Sequence, residues 1–264
     1  MYGMTIKSPL FSIITVTLNN LGGLKKTHDS LRIQNNADYE WIVIDGGSAD
    51  GTADYLKTTT AQWISEADRG IYDAMNKGLE RACGDYMLFL NAGDALAAPD
   101  ILAKLKLAAE QTPDFIYGDS YEESGTSTFY KKSRSHSAIM TGMFTHHQAM
   151  LYRRAALGDL RYDLNYKIAA DYDFTARFLQ KTDRILYYPF PFCIFESGGI
   201  SQQRAGQGRR EQFEIRRHLW PQKTLVNSLI YATQSAVWTL RRFMPNLYRA
   251  LKSSGNSDSG CVRN

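Results

Sequence analysis

The segment YMLFLNAGD, residues 86–94, runs five apolar residues into Asn91, Ala92, Gly93 and Asp94. A carboxylate at the rim of a core is costly unless an opposite charge meets it. Its position raises the question of what meets Asp94. The pattern recurs along the first hundred residues. The apolar run 10–18 ends around Thr17 and Asn19, 40–45 ends in Asp45 and continues as DGGSADGT, and 62–65 leads into SEADRG with Glu66 and Asp68. Runs rich in Ile, Val and aromatics that close in polar turns read as strands. In open parallel sheets ligands bind beyond the carboxyl ends of the strands. These four ends predict one rim carrying several carboxylates and almost no cations, the polarity for a phosphate bridged by a divalent metal rather than for a bare phosphate.

The elements that must position this rim alternate. Between the strands lie helix-period segments, the clearest being GIYDAMNKGLERACG (70–84), where Ile71, Met75, Leu79 and Ala82 share one face and Gly84 sits at the expected C-cap. Alternation of this kind implies parallel pairing through right-handed crossovers, so the fold class is α/β. Further helices are expected at about 99–110 and 171–180, with a strand at 114–119. Residues 120–168 give short β-like pieces and long loops, and RILYYPFPFCIFE (184–196) reads as two short strands around its prolines. A mixed second half thus follows an α/β first half.

At 264 residues and 44% apolar the chain buries a sizeable core. Its three cysteines, Cys83, Cys193 and Cys261, are odd in number and have no CxxC spacing, which argues against a disulfide framework or a zinc site and for a reducing compartment. The N-terminus has no signal-peptide core, so secretion is not expected. The net charge of +4 is uneven: residues 203–264 hold 11 Lys and Arg against 3 Asp and Glu, leaving 20 against 24 in the rest. A basic tail on an acidic body points to an anionic surface as the tail's partner. The body offers no groove for nucleic acid, so no nucleic-acid partner is expected.

In order along the chain, SIITVTLNN, VIDGGSADGT, SEADRGIYDAMNKG, GDYMLFLNAGD, HHQAMLYRR and AADYDF resemble family 2 glycosyltransferases of the GT-A fold, with the nearest likeness to bacterial exopolysaccharide enzymes of the colanic-acid type. The resemblance covers about residues 10–200. It implies transfer of a sugar from a nucleoside-diphosphate donor with inversion at the anomeric carbon, a GT-A domain over 1–222 (a nucleotide-sugar half, 1–98, and an acceptor half, 99–222), and Mg2+ or Mn2+ as cofactor. It sets the base against Thr17 and Asn19 with Asp45 hydrogen-bonding it, Asp68 along the nucleotide or ribose, and Asn91 and Asp94 at the donor, with Asp94 holding the metal. The family's Asp-x-Asp is reduced here to Asn91-Ala92-Gly93-Asp94, with one carboxylate. Magnesium keeps several waters and is held by one or two carboxylates plus substrate phosphates, so Asp94 suffices in principle. A second departure is Met75 before Asn76, where many relatives have Arg.

Asp171 in AADYDF matches the family's base, although Ala170 stands where Glu is common. A carboxylate at a helix N-terminus is expected to stay ionised, ready to take the acceptor hydroxyl's proton. Its bland alternative is a helix cap. His147 and Gln148 are candidate contacts for acceptor or diphosphate; adjacent His146 and His147 are poorly spaced for two metal ligands on one strand face. ESGGIS (196–201) reads most simply as a strand-ending turn, though members of the resembled family have a similar stretch beside the active site.

Residues 223–252 read as an amphipathic basic helix in which Val226, Leu229, Ile230, Val237, Leu240 and Met244 fall near helical spacing and Arg241, Arg242, Arg249 and Lys252 follow. Interfacial docking on anionic lipid is expected rather than spanning, with packing on the body as the alternative. The acceptor implied is a saccharide, lipid-linked, at the inner face of the cell membrane, which makes the protein cytoplasmic and peripheral. Residues 253–264 read as disordered. Two other functions fit less well. A nucleotidyltransferase wants a Gly-rich cationic loop directly after the first strand, whereas LNNLGGLKK delays its lysines to positions 25–26. A catalytically idle nucleotide-sugar-binding protein is suggested by the depleted metal motif.

Overall fold

The computed structural model describes residues 8–35 and 38–244. The expected disordered tail, Arg249, Lys252 and the last part of the basic helix lie outside the described residues.

The strands are β1 (Phe11–Thr17), β2 (Tyr39–Asp45), β3 (Gln62–Ser65), β4 (Tyr86–Phe89), β5 (Ala95–Leu96), β6 (Phe115–Ser124), β7 (Ser127–Lys131), β8 (Met150–Arg153) and β9 (Ile185–Glu196). The helices are α1 (Leu21–Arg32), α2 (Thr52–Leu56), α3 (Ile71–Arg81), α4 (Ile101–Ala109), α5 (Arg154–Leu157), α6 (Ala170–Leu179), α7 (Ile200–Gln203), α8 (Ala205–Leu219) and α9 (Thr224–Phe243).

One sheet runs β3-β2-β1-β4-β8-β6-β9-β5, with β7 hairpinned onto β6. The first four strands are parallel, β8 is antiparallel to both neighbours, and β6 and β9 are parallel. Alternation of side chains splits the core into two layers. Ile14, Val16, Ile42 and Ile44 pack under α3 and α6, while Phe11, Ile13, Val43 and Leu88 pack with Leu24 and Leu31 of α1 and Leu102 and Leu105 of α4. Helices on both faces of a mixed sheet is the expected α/β architecture.

Three local expectations are corrected. Residues 184–196 are not two strands: β9 is one strand whose register against β6 slips on either side of Asp119, so that Tyr188 pairs with Gly118 and Pro191 with Asp119. The prolines fall where the ladder is already broken, which is where a strand tolerates a residue lacking an N–H. Gly84 is not the C-cap of α3, which ends at Arg81. It lets the chain pass close to β1, since a Cβ there would lie 2.7 Å from the Ser12 backbone nitrogen. Ile71, expected on the buried face of α3, is instead exposed where the first turn overhangs a cavity.

Helix α9 packs on α8 through a mixed face of amide and aromatic side chains. Buried Asn227 accepts from Arg216 Nε at 2.6 Å and donates to the Phe213 carbonyl at 3.1 Å, Tyr231 meets Phe213, and Gln234 donates to the Thr141 carbonyl. The opposite face presents Leu225 (87% exposed), Leu229 (68%) and Phe243 (68%) to the outside. No described helix is long and apolar enough to cross a membrane.

Candidate active site

The carboxyl ends of β1, β2 and β3 form one wall. Asn19, at φ 48°, donates its N–H to Ser48 Oγ at 2.7 Å and accepts the Ala49 N–H at 2.8 Å. Asp45 is fully buried and accepts the Ser48 N–H and hydroxyl and the Ser65 hydroxyl. Both of its oxygens are engaged in closing the turn, so a base would bond Asp45 only by displacing one of these donors. Thr17 is buried beside it, its hydroxyl without a protein partner. Asp68 and Glu66 are not bare: Lys77 of α3 reaches them at 2.5 and 2.7 Å. The rim is therefore less one-sided in charge than the sequence suggests, because α3 brings a lysine up from the next turn.

Asn20 ties this wall to the end of β4. Its Oδ1 accepts the Gly23 N–H to cap α1, and its Nδ2 donates to the Ala92 carbonyl at 3.1 Å. Beyond it lies a cavity of about 390 Å3 whose wall includes Asn91, Asp94, His147, Gln148, Asp171 and Glu196. Asp94 is 4% exposed. Its oxygens each hold one donor, the Glu196 N–H at 3.0 Å and Gln148 Nε2 at 2.8 Å. Burial is the main cause that pushes its carboxyl up to about 7, and the nearby Glu196 charge adds to it. The Asn91 Oδ1 atom is buried and unpartnered.

Across the cavity, Asp171 occupies the first turn of α6. Its Oδ1 accepts the Tyr172 N–H at 2.8 Å, and Tyr72 Oη lies 3.4 Å away. It is deep but keeps part of its surface on the cavity. Burial pushes it up to about 6, so desolvation outweighs the helix dipole expected to keep it ionised at low pH. Part of the reason is Glu211 on α8. Its carboxylate accepts the N–H groups of Lys167, Ile168 and Ala169 at 3.1, 2.8 and 2.9 Å, fixing the backbone that leads into α6, whose N-terminus has no side-chain cap of its own. The Glu211 charge adds to the burial that raises Asp171.

His147 is buried, its Nε2 against Tyr162 Oη at 2.7 Å and its ring stacked on Phe89. Burial lowers it to about 3, so it is neutral. His146 points elsewhere, onto Phe195 and Ser120. Met75 is buried at the cavity wall, and Asn76 clamps the backbone of Tyr162 through both amide atoms.

The structure thus gathers Asn91, Asp94, His147, Gln148 and Asp171 at one cavity and sets Thr17, Asn19, Asp45 and Asp68 on the adjoining wall. Sequence reasoning missed Asn20, Tyr72 and Glu211, and marked Glu196 only as the start of the ESGGIS stretch. Of the three missed, only Asn20 carried a signal, as an Asn preceding a helix.

Among the described residues no three His, Cys, Asp or Glu side chains converge as a metal cage. The donor set at Asp94 nonetheless fits a hard cation that keeps water and phosphate ligands. Its carboxylate retains free lone pairs, and the orphaned Asn91 oxygen lines the same cavity.

Residues 12–196 match the profile described as glycosyl transferase family 2. A mycobacterial protein named PGL/p-HBAD biosynthesis glycosyltransferase (Mycobacterium bovis) is 35% identical over 180 residues, covering 64% of this chain and 70% of that protein. Among solved structures, S. aureus TarS 1–349 in complex with UDP-GlcNAc superposes with a TM-score of 0.66 at 19% identity, covering 84% of this chain and 70% of that one. The mannosyltransferase PcManGT from Pyrobaculum calidifontis, in complex with GDP-Man and Mn2+, gives 0.61 at 16% identity over 95% and 80%. These two likenesses concern the fold.

Proposed function

The chain belongs to glycosyl transferase family 2, and from that premise we propose that it moves a sugar from a nucleoside-diphosphate donor to a saccharide hydroxyl with inversion. The observation that carries this reading is that Asp94 and Asp171, far apart in sequence, line one cavity beside the ends of β1 to β4. The nucleotide lies along the wall of Thr17, Asn19, Asp45 and Asp68, with the diphosphate toward Asn91 and Asp94. A divalent cation, Mg2+ or Mn2+, supplies charge neutralisation for the departing diphosphate when bound; Asp94 would hold it.

Asp171 takes the proton of the acceptor hydroxyl while the new bond to the anomeric carbon forms and the bond to the diphosphate oxygen breaks on the opposite face. A base near pH 6 suits this task at neutral pH, being ionised yet basic enough to accept a proton. Tyr72 and Glu211 keep it aimed. Gln148 holds Asp94, and neutral His147 holds the cavity wall through its tyrosine partner. Residues 1–98 serve the donor and 99–222 the acceptor in this reading.

The acceptor is a lipid-linked glycan of the cell envelope. The resemblance to exopolysaccharide enzymes of the colanic-acid type and a relative named for PGL/p-HBAD biosynthesis support that class. The outward apolar face of α9, with Lys223 and Arg242 exposed at its ends, supports docking at an anionic interface on the cytoplasmic side of the membrane.

The test is a screen of UDP- and GDP-sugars with and without Mn2+, read as heat stabilisation of the full chain, followed by transfer to a lipid-linked oligosaccharide mixture. A donor should raise the melting temperature by mass action. No shift with any nucleotide sugar would remove the reading.

A further inference from the structure

We propose that Glu196, at the end of β9, replaces the missing first carboxylate of the metal motif and clamps the divalent cation together with Asp94. The inference rests on the donor reading above and concerns how this chain meets a metal with only one acidic residue in its Asn-Ala-Gly-Asp turn.

The two carboxylates arrive from separate strands. The Glu196 N–H donates to Asp94 Oδ1 at 3.0 Å, so the backbone that carries Glu196 is fixed against the buried acid. Gly93, at φ 107°, sits between them, and a Cβ built there would collide with Glu196 Oε2. The space a side chain would fill is thus occupied by the Glu196 carboxylate. Both acids line the cavity, as does Asn91, whose buried Oδ1 has no partner. Two carboxylates and an amide oxygen form an all-oxygen set, the preference of Mg2+ and Mn2+, with remaining positions left for diphosphate oxygens and water.

The charge balance also asks for a cation. Glu196 stands opposite Glu123 in the β6–β9 ladder, and like charges directly opposite repel. Lys26, whose charge is felt at Asp94, is committed to Glu123 at 2.5 Å. That pairing engages Lys26 with Glu123 rather than with Asp94 or Glu196, which leaves those two acids with an excess of negative charge. A divalent ion between Asp94 and Glu196 would relieve that excess.

The experiment measures Mn2+ binding to the full chain by electron paramagnetic resonance in the presence of saturating UDP or GDP, for wild type, Glu196→Gln and Asp94→Asn. In parallel, nucleotide binding is measured in EDTA, and melting temperature without ligand reports folding. Glu196→Gln should weaken Mn2+ by about tenfold or more, without lowering metal-free nucleotide affinity or melting temperature. Wild-type-like Mn2+ affinity in Glu196→Gln, with Asp94→Asn impaired, overturns the Glu196 assignment while the donor reading stands. A wild-type protein that takes up neither nucleotide, with or without Mn2+, overturns both.

Discussion

Glu211 secures the backbone that leads into the helix carrying Asp171, and its charge adds to the upward push that burial gives that acid. From α8 Glu211 accepts the N–H groups of Ile168 and Ala169 at 2.8 and 2.9 Å. The expected consequence is a pH effect rather than a loss of binding. Glu211→Gln removes the negative charge that raises Asp171, so the acidic limb of the rate profile should move to lower pH, with donor affinity retained. Glu211→Ala should also cost about 2–3 kcal/mol of stability by stranding backbone donors, measured by denaturant unfolding.

Asp171→Asn and Asp171→Ala should each lower turnover by about 10²–10⁴-fold, the usual worth of a positioned base, while keeping the nucleotide-induced melting shift. A catalytically idle nucleotide-sugar binder would have no turnover to lose, so these variants separate an enzyme from a scaffold.

With donor and Mn2+ saturating, which keeps Asp94 ionised, the wild-type rate should fall about tenfold per pH unit below pH 6, as Asp171, pushed up to about 6, becomes protonated. Stability runs the other way for this group. Its folded-state pKa is raised, so its contribution is fully present below the unfolded value of 3.8 and is lost as pH rises through about 6. Asp171→Asn should therefore be more stable than wild type at pH 8, by about 1–3 kcal/mol, with the difference vanishing near pH 4. Melting curves across that range check the sign.

Gly84→Ala places a Cβ 2.7 Å from the Ser12 backbone nitrogen. Neither strand can retreat without breaking the β1–β4 ladder, so a loss of about 1–3 kcal/mol is expected, with little change in the site if the protein is assayed well below its melting temperature.

Leu229→Glu combined with Val237→Glu should abolish sedimentation with vesicles containing anionic lipid. Both side chains are exposed, so folding and transfer to a soluble acceptor should be unchanged. Retained vesicle binding would mean that α9 is not the docking element.

The sequence by itself determined the first four strands, α3, α4 and α6, because each signals locally through apolar runs, helical periodicity and turn residues within a few positions. It also marked Asp94 and Asp171, whose neighbours carry recognisable motifs. Only the tertiary structure decided what meets them. Glu196 and Glu211 act through contacts between elements distant in the chain, and nothing in their flanking residues records which N–H groups they accept or donate. The single strand at 185–196 was hidden for the same reason: its prolines are acceptable only because the register against β6 slips there. Helix α9 shows the limit most plainly, since its periodicity gives an apolar face but not its direction. Asn227 and Gln234 have partners on the body, and those hydrogen bonds turn the apolar face outward.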